Sequence, residues 1–220
     1  MSKIVVLMGA PGAGKGTQAR LLQERLGLPQ ISTGDMFREL ARADTPLATE
    51  VRSVQAAGKL VSDDLVIRVV HERTGRADCA HGYILDGFPR TTTQAAMLEK
   101  LAVEQGNKIS AVLVDVPFEL LEQRATGRRS CPVCGEIYNI YFKPPQREGF
   151  CDLHPETPLT HRADDTSEKI RVRLATYEEQ TRPLLDYYEA SKRLQRVDGT
   201  RDPEAIYVDI EKIVKGDNNG

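Results

Sequence analysis

The 220-residue sequence has no long apolar run. The apolar stretch nearest its amino terminus, IVVLM within MSKIVVLMGA, spans five residues, and no later stretch approaches the length of about 20 residues that a membrane-spanning helix requires. Five residues are also fewer than the apolar core of a signal peptide contains. We therefore expect a soluble, cytoplasmic protein, in a compartment where cysteine thiols stay reduced.

A large excess of one charge is also missing. Lysine and arginine total 30, against 32 aspartate and glutamate residues, so the formal net charge is −2. This balance is not typical of proteins that bind nucleic acid or membranes through a general electrostatic footprint, and we expect neither partner. Among the cations, arginine outnumbers lysine by 20 to 10. Because guanidinium groups match the oxygens of phosphates and carboxylates, this excess is a mild indication of anion recognition.

Internal repeats and low-complexity tracts are absent as well, apart from the short tail KGDNNG. Instead, apolar runs typical of strands alternate with segments typical of helices, which predicts an α/β fold with a parallel sheet covered by helices. The expected strands are KIVVLM (3–8), LPQIS (28–32), GYILDGF (82–88), AVLVDV (111–116) and LQRVDG (194–199), and the expected helices include 15–26, 91–104, 167–179 and 203–214.

Two segments interrupt this alternation. Residues 33–61 contain helical pieces without a strong strand, and residues 125–162 lack long helical periodicity. The second segment is too long for a structureless loop in a compact domain, so something other than an apolar core must order it.

The motif GAPGAGKGT (9–17) follows the first expected strand and opens the first expected helix, the context of a phosphate-binding P-loop. Its glycines allow successive N–H groups to face inward around a polyphosphate, and Lys15 adds a mobile positive charge for the β and γ oxygens. The usual pattern has Ser or Thr directly after the lysine, whereas here Gly16 intervenes. The expected nucleotide-binding residues are Gly9, Gly12, Ala13, Gly14, Lys15, Gly16 and Thr17.

P-loops occur in GTPases, motors, ATPases and small-molecule kinases, so the rest of the sequence must discriminate between them. The guanine-reading motif of switch GTPases, Asn/Thr-Lys-x-Asp, is absent. The chain instead resembles the adenylate kinases, in their long form with a large lid, over nearly its whole length. The motifs that carry the resemblance, in family order, are GAPGAGKGTQ, STGDMFR (32–38), GKLVSDDLV (58–66), YILDGFPRT (83–91), GRR (127–129), HRADD (161–165) and IRVRL (170–174).

This resemblance implies a P-loop nucleoside-monophosphate-kinase fold with a parallel five-stranded sheet. It implies a core (1–31, 62–124 and 163–220), an inserted AMP-binding segment (32–61) and an inserted lid (125–162). The implied activity is reversible phosphoryl transfer from MgATP to AMP, giving two ADP, by a monomer. Catalysis would depend on positioning and electrostatic stabilisation, with lid closure excluding water. A general base is not required, and the sequence offers no obvious one.

The resemblance also implies individual roles. Arg38 and Arg90 would clamp the AMP phosphate, and Asp86, at the end of a buried strand, would hold the hydration shell of Mg²⁺. The catalytic set is Lys15, Arg90, Arg128, Arg162, Arg173 and Asp86. ATP would also contact Arg124, against its adenine, together with Arg128, Tyr138 and Arg201. The AMP pocket would comprise Thr33, Gly34, Arg38, Lys59, Leu60, Val61, Gly87, Arg90, Gln94, Arg162 and Arg173, with Gln94 reading the adenine edge.

The cysteines form a metal-binding pattern. CPVC (131–134) and CDLH (151–154) are separated by sixteen residues, and two close pairs of this kind suit tetrahedral zinc. We expect Cys131, Cys134, Cys151 and His154 to hold a structural Zn²⁺ that orders residues 125–162. His161 is the alternative fourth ligand, and ligand type alone leaves iron or cobalt open. Cys79 is expected to be a free thiol without a chemical role.

Two other functions remain as alternatives. The nearer is a UMP/CMP kinase of the same fold. The other is a non-catalytic zinc protein that binds nucleotides or nucleic acid, because residues 125–162 also contain Tyr138, Tyr141 and Phe142 among basic residues.

Overall fold

The computed structural model describes residues 3–57 and 59–216, apart from the side chain of Gln55. Five parallel strands form a sheet in the order β2-β3-β1-β4-β7, and the remaining two strands pair antiparallel outside it. The strands are β1 (Lys3–Met8), β2 (Gln30–Ser32), β3 (Gly82–Asp86), β4 (Lys108–Asp115), β5 (Arg128–Ser130), β6 (Ile137–Asn139) and β7 (Leu194–Asp198). The described helices are α1 (Lys15–Leu26), α2 (Thr33–Leu40), α3 (Pro46–Ala56), α4 (Asp63–Thr74), α5 (Thr92–Glu104), α6 (Phe118–Thr126), α7 (Ser167–Thr176), α8 (Pro183–Ala190) and α9 (Pro203–Lys215).

Helices cover both faces of the sheet, as the alternation predicted. Alternate side chains of a strand point to opposite faces, so the buried strands supply two separate apolar clusters. In β1, Ile4 and Val6 pack with residues of α4, α5 and α8, whereas Val5 and Leu7 pack with residues of α1, α7 and α9. The expected five-stranded parallel sheet is thereby confirmed.

The parallel sheet determines where functional residues can meet. All five strands end at the same edge, so the segments that follow them emerge side by side. The glycine-rich loop follows β1, Thr33 follows β2, and Gly87 follows β3. The crossover from β1 leads by way of α1 to β2 on one side, whereas β4 lies on the other side of β1. This edge therefore contains the crevice in which α/β proteins bind ligands.

Element boundaries follow local chemistry closely. α1 ends at Leu26 and is capped by Gly27, whose φ of 67° is the left-handed conformation of a C-cap. Thr91 is the N-cap of α5, not its first residue, because its hydroxyl accepts a hydrogen bond from the Gln94 amide. β2 begins at Gln30, two residues later than expected, and β4 begins at Lys108, three residues earlier, because Lys108–Ser110 pair with β1.

The helix expected over 167–179 has a different end. α7 stops at Thr176 and the chain continues as a π-helical turn, Tyr177–Thr181, before α8. Pro183, the first residue of α8, has no N–H to donate to the preceding turn. The Arg182 amide instead donates to the Tyr177 carbonyl over five residues, at 2.9 Å.

The two irregular segments also take shape. Residues 33–61 contain α2 and α3, without a strand among the residues described there. Residues 125–162 contain the β5–β6 hairpin, with further antiparallel bridges between Ser130 and Thr160 and between Phe150 and Pro158. Within 3–57 and 59–216, none of the helices combines the length and apolar character needed to cross a membrane.

Candidate active site and metal centre

The glycine-rich loop presents backbone N–H groups at the carboxyl edge of the sheet. Gly9, Gly12 and Gly14 have φ values of 143°, 90° and 98°, a region in which residues with a side chain are strained. The N-cap of α1 is Gly14, which has no side chain to accept a hydrogen bond from the helix. The first turn of α1 contains no acidic residue. The positive end of the helix dipole therefore faces the crevice without a carboxylate of its own helix to neutralise it, which suits an anion.

Lys15 points back over this loop. Its Nζ donates to the carbonyl oxygens of Gly9 at 2.7 Å and Ala10 at 3.0 Å. Burial lowers the pKa of Lys15 from 10.5 to about 8; Asp86 opposes this shift, and Arg90 and two further arginines add to it. An anion beside Nζ would offset both the lost hydration and the repulsion.

Five arginines from separate segments converge on the same crevice. Burial, with the repulsion of neighbouring arginines added to it, lowers the pKa values of Arg90 and Arg162 to about 10 each. Burial also lowers the pKa of Arg173, which senses the charges of Arg128 and Arg38. The structure therefore brings the predicted cations, Lys15, Arg38, Arg90, Arg128, Arg162 and Arg173, into one group within mutual electrostatic range.

Two aspartates hold part of this group in place. Asp165 is wholly buried, and its two carboxylate oxygens accept hydrogen bonds from Arg128 Nε at 2.9 Å and Nη2 at 2.6 Å. Arg173 Nη1 lies 3.4 Å from Asp165 Oδ1 and 3.0 Å from Asp164 Oδ2. Bidentate pairing of this kind fixes the plane of a guanidinium group as well as its position.

Asp35 connects residues of the two irregular segments. Its Oδ1 lies 2.6 Å from Arg38 Nη2, within α2, and 3.6 Å from Arg162 Nη2. Arg38 Nη1 is also 3.9 Å from Asp164 Oδ2. Arg38 therefore lies between the end of β2 and the residues that precede α7.

Asp86 ends β3 beside the glycine-rich loop. A Cβ atom placed on Gly16 would lie 3.7 Å from Asp86 Oδ2, so the carboxylate faces the first turn of α1. Among the described residues, Oδ2 has one weak partner, Gln30 Nε2 at 3.4 Å. Oxygen ligands of this kind, next to a phosphate-binding loop, fit the hydration shell of a magnesium ion.

The residues expected to line an AMP pocket lie near the ends of β2 and β3. Thr33 Oγ1 and Arg90 Nε both donate to the carbonyl oxygen of Gly87, each at 2.8 Å. Gly87 has a φ of 82°, and a Cβ atom there would lie 3.0 Å from both Arg90 Nη2 and Thr33 Oγ1. Leu60 lines a cavity together with Lys15, Gly87 and Arg90.

The other residues of that set are less closely engaged. A Cβ atom on Gly34 would lie 3.2 Å from Arg38 Nη2, so Gly34 borders the arginine directly. Lys59 is exposed, and Val61 is partly buried against the apolar core. Their roles remain predictions.

Gln94 differs from a typical glutamine in a first helical turn, because it is buried. Its Nε2 donates to Asp63 Oδ1 at 2.6 Å, and its Oε1 accepts from the Arg90 amide at 2.8 Å. With respect to the described residues, one N–H and one lone pair of the side-chain amide remain for a ligand, which is the combination needed to read an adenine edge. Gln94 also ties Arg90 to the start of α4.

Arg124, Tyr138 and Arg201, which were expected to contact ATP, lie in three different surroundings. Arg124 Nη1 donates to the Gly199 carbonyl at 2.6 Å, and its guanidinium carbon lies 5.7 Å from the centroid of the exposed Phe142 ring. Tyr138 does not face this surface, because it is buried with Cys131 and Cys151. Arg201 is exposed and paired with Asp209 of α9.

Three cysteines and a histidine form a cluster suited to a metal ion. The ligand atoms of Cys131, Cys134, Cys151 and His154 all lie within 4.8 Å of one another. Cys134 Sγ and Cys151 Sγ are 3.8 Å apart, about the separation that tetrahedral bonds of about 2.3 Å to zinc would produce. His161 is not part of the cluster, so the described residues favour His154 as fourth ligand.

The surroundings of Cys151 favour the thiolate form that binds metals, whereas burial raises the pKa of the Cys134 thiol. Burial raises the pKa of the Cys151 thiol, but hydrogen bonds from Tyr138 and His154 outweigh this and bring it to about 6. The Tyr138 hydroxyl accepts from the Asp152 amide at 2.9 Å, so its own proton is free to point at Cys151 Sγ, 3.6 Å away. Tyr138 therefore contacts a candidate metal ligand, Cys151, and can orient its sulfur by a hydrogen bond.

Sequence reasoning missed several residues that position the site. Asp164 and Asp165 stand within HRADD and Asp63 within GKLVSDDLV, yet in HRADD only Arg162 and, as an alternative metal ligand, His161 were expected to be functional. Asn139 was also missed; its Nδ2 donates to the Arg124 carbonyl at 2.8 Å, which connects the β5–β6 hairpin to α6. The pair of carboxylates that follows Arg162 in HRADD was the feature of the sequence from which a positioning role could have been inferred.

Comparison with known proteins agrees with this geometry. A family model described as adenylate kinase matches residues 7–193. The adenylate kinase of Nitrosococcus oceani is 47% identical over 211 residues, which covers 96% of this chain and 97% of that protein. The adenylate kinases of Clostridium perfringens and Oceanobacillus iheyensis are 45% and 46% identical, cover 97% and 96% of this chain, and are themselves covered over 99% and 98% of their lengths.

The metal cluster generates a prediction about stability. Cys131→Ser removes one thiolate, so we expect metal content to fall and residues 125–162 to lose order while the core stays folded. A loss of about 2–3 kcal/mol would lower the melting temperature by roughly 5–10 °C in a domain of this size. Calorimetry and elemental analysis would measure both effects. Cys79→Ser, a control outside the cluster, should retain the metal; a Cys131→Ser protein with full metal content would contradict the assignment.

Proposed function

Because the chain belongs to the adenylate kinase family and catalyses phosphoryl transfer between ATP and AMP, we propose that its converging cations bind the phosphates of both nucleotides at the carboxyl edge of the sheet. The observation that carries this proposal is the grouping of Lys15 with five arginines around the glycine-rich loop. Two polyanions that must react with each other require charge of this density between them.

On the donor side, the loop Gly9–Gly14 and the first turn of α1 bind the ATP phosphates, with Thr17 in that turn. Lys15 moves its three donors from the carbonyl oxygens of Gly9 and Ala10 to the β and γ oxygens. Arg128 and Arg173, oriented by Asp165, lie against the transferred group. Arg124 and the exposed ring of Phe142 provide the surface on which the adenine stacks. Arg201 contacts ATP from the segment after β7.

On the acceptor side, Arg38 and Arg90 bind the AMP phosphate. The second N–H and the second lone pair of the Gln94 side-chain amide bind the edge of its adenine. Thr33, Gly34, Gly87 and residues 59–61 form the walls. Residues 32–61 thus act as the AMP-binding segment, and residues 125–162 act as the lid over ATP. Arg162, 3.6 Å from Asp35, is available to both phosphate sites when the lid is closed.

The reaction needs no general base. An oxygen of the AMP phosphate, which carries no proton at neutral pH, attacks the γ-phosphorus of ATP. The bond to the β–γ bridging oxygen breaks, and both products are ADP. The arginines and Lys15 stabilise charge on the oxygens of the transferred group, and closure of the lid keeps water, a competing acceptor, away.

Magnesium accompanies ATP in this family, and we propose that the Asp86 carboxylate would accept hydrogen bonds from the water molecules bound to this ion. When bound, the ion supplies positive charge that neutralises the β and γ oxygens. Asp86 fits this role because it lies beside Gly16 and its Oδ2 has only the long contact with Gln30 among the described residues.

We propose zinc as the ion of the Cys131–Cys134–Cys151–His154 cluster, in a structural role, because all four positions of a tetrahedral ion are filled by protein ligands. Thiolate ligands require a reducing compartment, which supports a cytoplasmic location. A monomer is sufficient, because one chain supplies every residue of the proposed site. The balanced charge gives no reason to add nucleic acid or a membrane to the partners ATP, AMP and ADP.

The first test is an acceptor panel with MgATP. Phosphoryl transfer to AMP, CMP, UMP and GMP would be followed by direct separation of the nucleotides. AMP should be the preferred acceptor by at least about tenfold in kcat/KM, because a buried amide that is left unpaired by the wrong base costs about 1–3 kcal/mol. A higher rate with UMP or CMP would contradict the role of Gln94 and the acceptor site.

The second prediction concerns Asp165→Asn. An amide has one acceptor oxygen where the carboxylate has two, so one of the hydrogen bonds that orient Arg128 and Arg173 is lost. Both guanidinium groups remain in the protein but are less well aligned. We expect kcat to fall by about 100-fold with a smaller change in either KM, because misplacement of catalytic groups by about 1 Å can cost that much. Asp78→Asn, which disrupts a remote aspartate–arginine pair with Arg73, is the control. Equal kcat values for the two variants would rule out the positioning role of Asp165.

A further inference from the structure

An ion pair outside the nucleotide site joins α1 to the hairpin segment. Arg20 Nη2 lies 2.5 Å from Glu136 Oε2, in the turn between β5 and β6. The other carboxylate oxygen of Glu136 lies 2.5 Å from Nζ of Lys143, which also belongs to residues 125–162. One carboxylate is thus shared between a cation of the core and a cation of the proposed lid.

This pair differs from an ordinary surface salt bridge. The side chains of Arg20 and Glu136 are only 22% and 11% exposed, so solvent and salt screen the interaction less than they would on an open surface. Glu136 is also fixed by its backbone, because its carbonyl oxygen accepts a hydrogen bond from the Cys131 amide at 2.9 Å. The carboxylate is therefore presented to α1 by the same turn that carries two of the metal ligands.

We propose that Arg20 and Glu136 are positioning residues that hold the lid on the core and thereby raise the affinity for ATP. The proposal rests on the function proposed for residues 125–162. Neither residue belongs to the phosphate site, yet Arg20 lies on α1 little more than one turn after Lys15, and Ile137, next to Glu136, is the lid residue that lies close to Gly16 of the loop. A contact that favours this docked arrangement favours the state in which ATP is enclosed.

The charges also have partners when the lid is open, which suits a reversible contact. Glu136 keeps Lys143, because both residues are in the hairpin segment. Arg20 keeps Glu24, whose Oε1 is 3.5 Å from Arg20 Nη1 on α1. Opening therefore does not leave a buried charge without a counter-ion, and the penalty for release stays moderate.

The test is a double-mutant cycle on the metal-loaded full chain. ATP and AMP are titrated separately, by calorimetry, into the wild type, Arg20→Gln, Glu136→Gln and the double variant. We expect each single change to weaken ATP binding about three- to tenfold, with AMP affinity unchanged, and the double variant to bind ATP no more weakly than the weaker single. Arg25→Gln is the matched control, because Arg25 stands on the same helix and pairs with Glu204 of α9 instead of the lid.

Three results would overturn the proposal: unchanged ATP affinity in both single variants, fully additive losses in the double variant, or equal losses for ATP and AMP. Arg128→Gln, measured alongside, separates this failure from failure of the proposed function. If Arg128→Gln loses ATP affinity while Arg20→Gln and Glu136→Gln do not, only the lid contact is refuted. If Arg128→Gln binds ATP as the wild type does, the phosphate site itself is misassigned.

Discussion

Repulsion among cations that are largely removed from water is the constraint on which this site depends. Lys15, Arg90, Arg162 and Arg173 all have pKa values lowered by burial, and each is lowered further by other cations of the group. Such a group would not stay together without compensation. Asp35, Asp164 and Asp165 supply part of it through short ion pairs, and the phosphates of two nucleotides would supply the rest.

The fold explains how residues so distant in sequence reach one crevice. Parallel strands end at a common edge, so the loops after β1, β2 and β3 lie next to each other, and α7 brings Arg173 to them from the far end of the chain. Strand and helix positions are fixed by two apolar clusters, one on each face of the sheet. Among its described residues, the hairpin segment has only a small apolar cluster around Cys131, Tyr138 and Cys151, and a bound metal ion would add to the order that this cluster supplies.

Local patterns in the sequence predicted most of this architecture, because they report local chemistry. The run KIVVLM followed by a glycine-rich loop predicted β1, the loop and α1, and the paired spacing of CPVC and CDLH predicted the metal ligands that the structure brings together. What escaped prediction depends on contacts across the chain. The value of Asp165 follows from Arg128, 37 residues away, and the burial of Gln94 follows from Asp63, 31 residues away. The resemblance implied that Tyr138 contacts ATP, yet its orientation towards Cys151 is set by hairpin packing that periodicity does not reveal.

The central claim is that a group of cations largely removed from water binds the nucleotide phosphates. It is tested most directly at Lys15. Nuclear magnetic resonance of isotope-labelled lysine, assigned with a Lys15→Arg variant, would follow titration of its amine with and without MgATP. In the free protein the pKa should be about 8. Bound phosphates favour the ammonium form, so MgATP should raise this pKa, and ATP affinity should fall as the pH rises through the free value. A Lys15 amine that titrates near its ordinary value of 10.5 in the free protein, and does not respond to MgATP, would contradict the account.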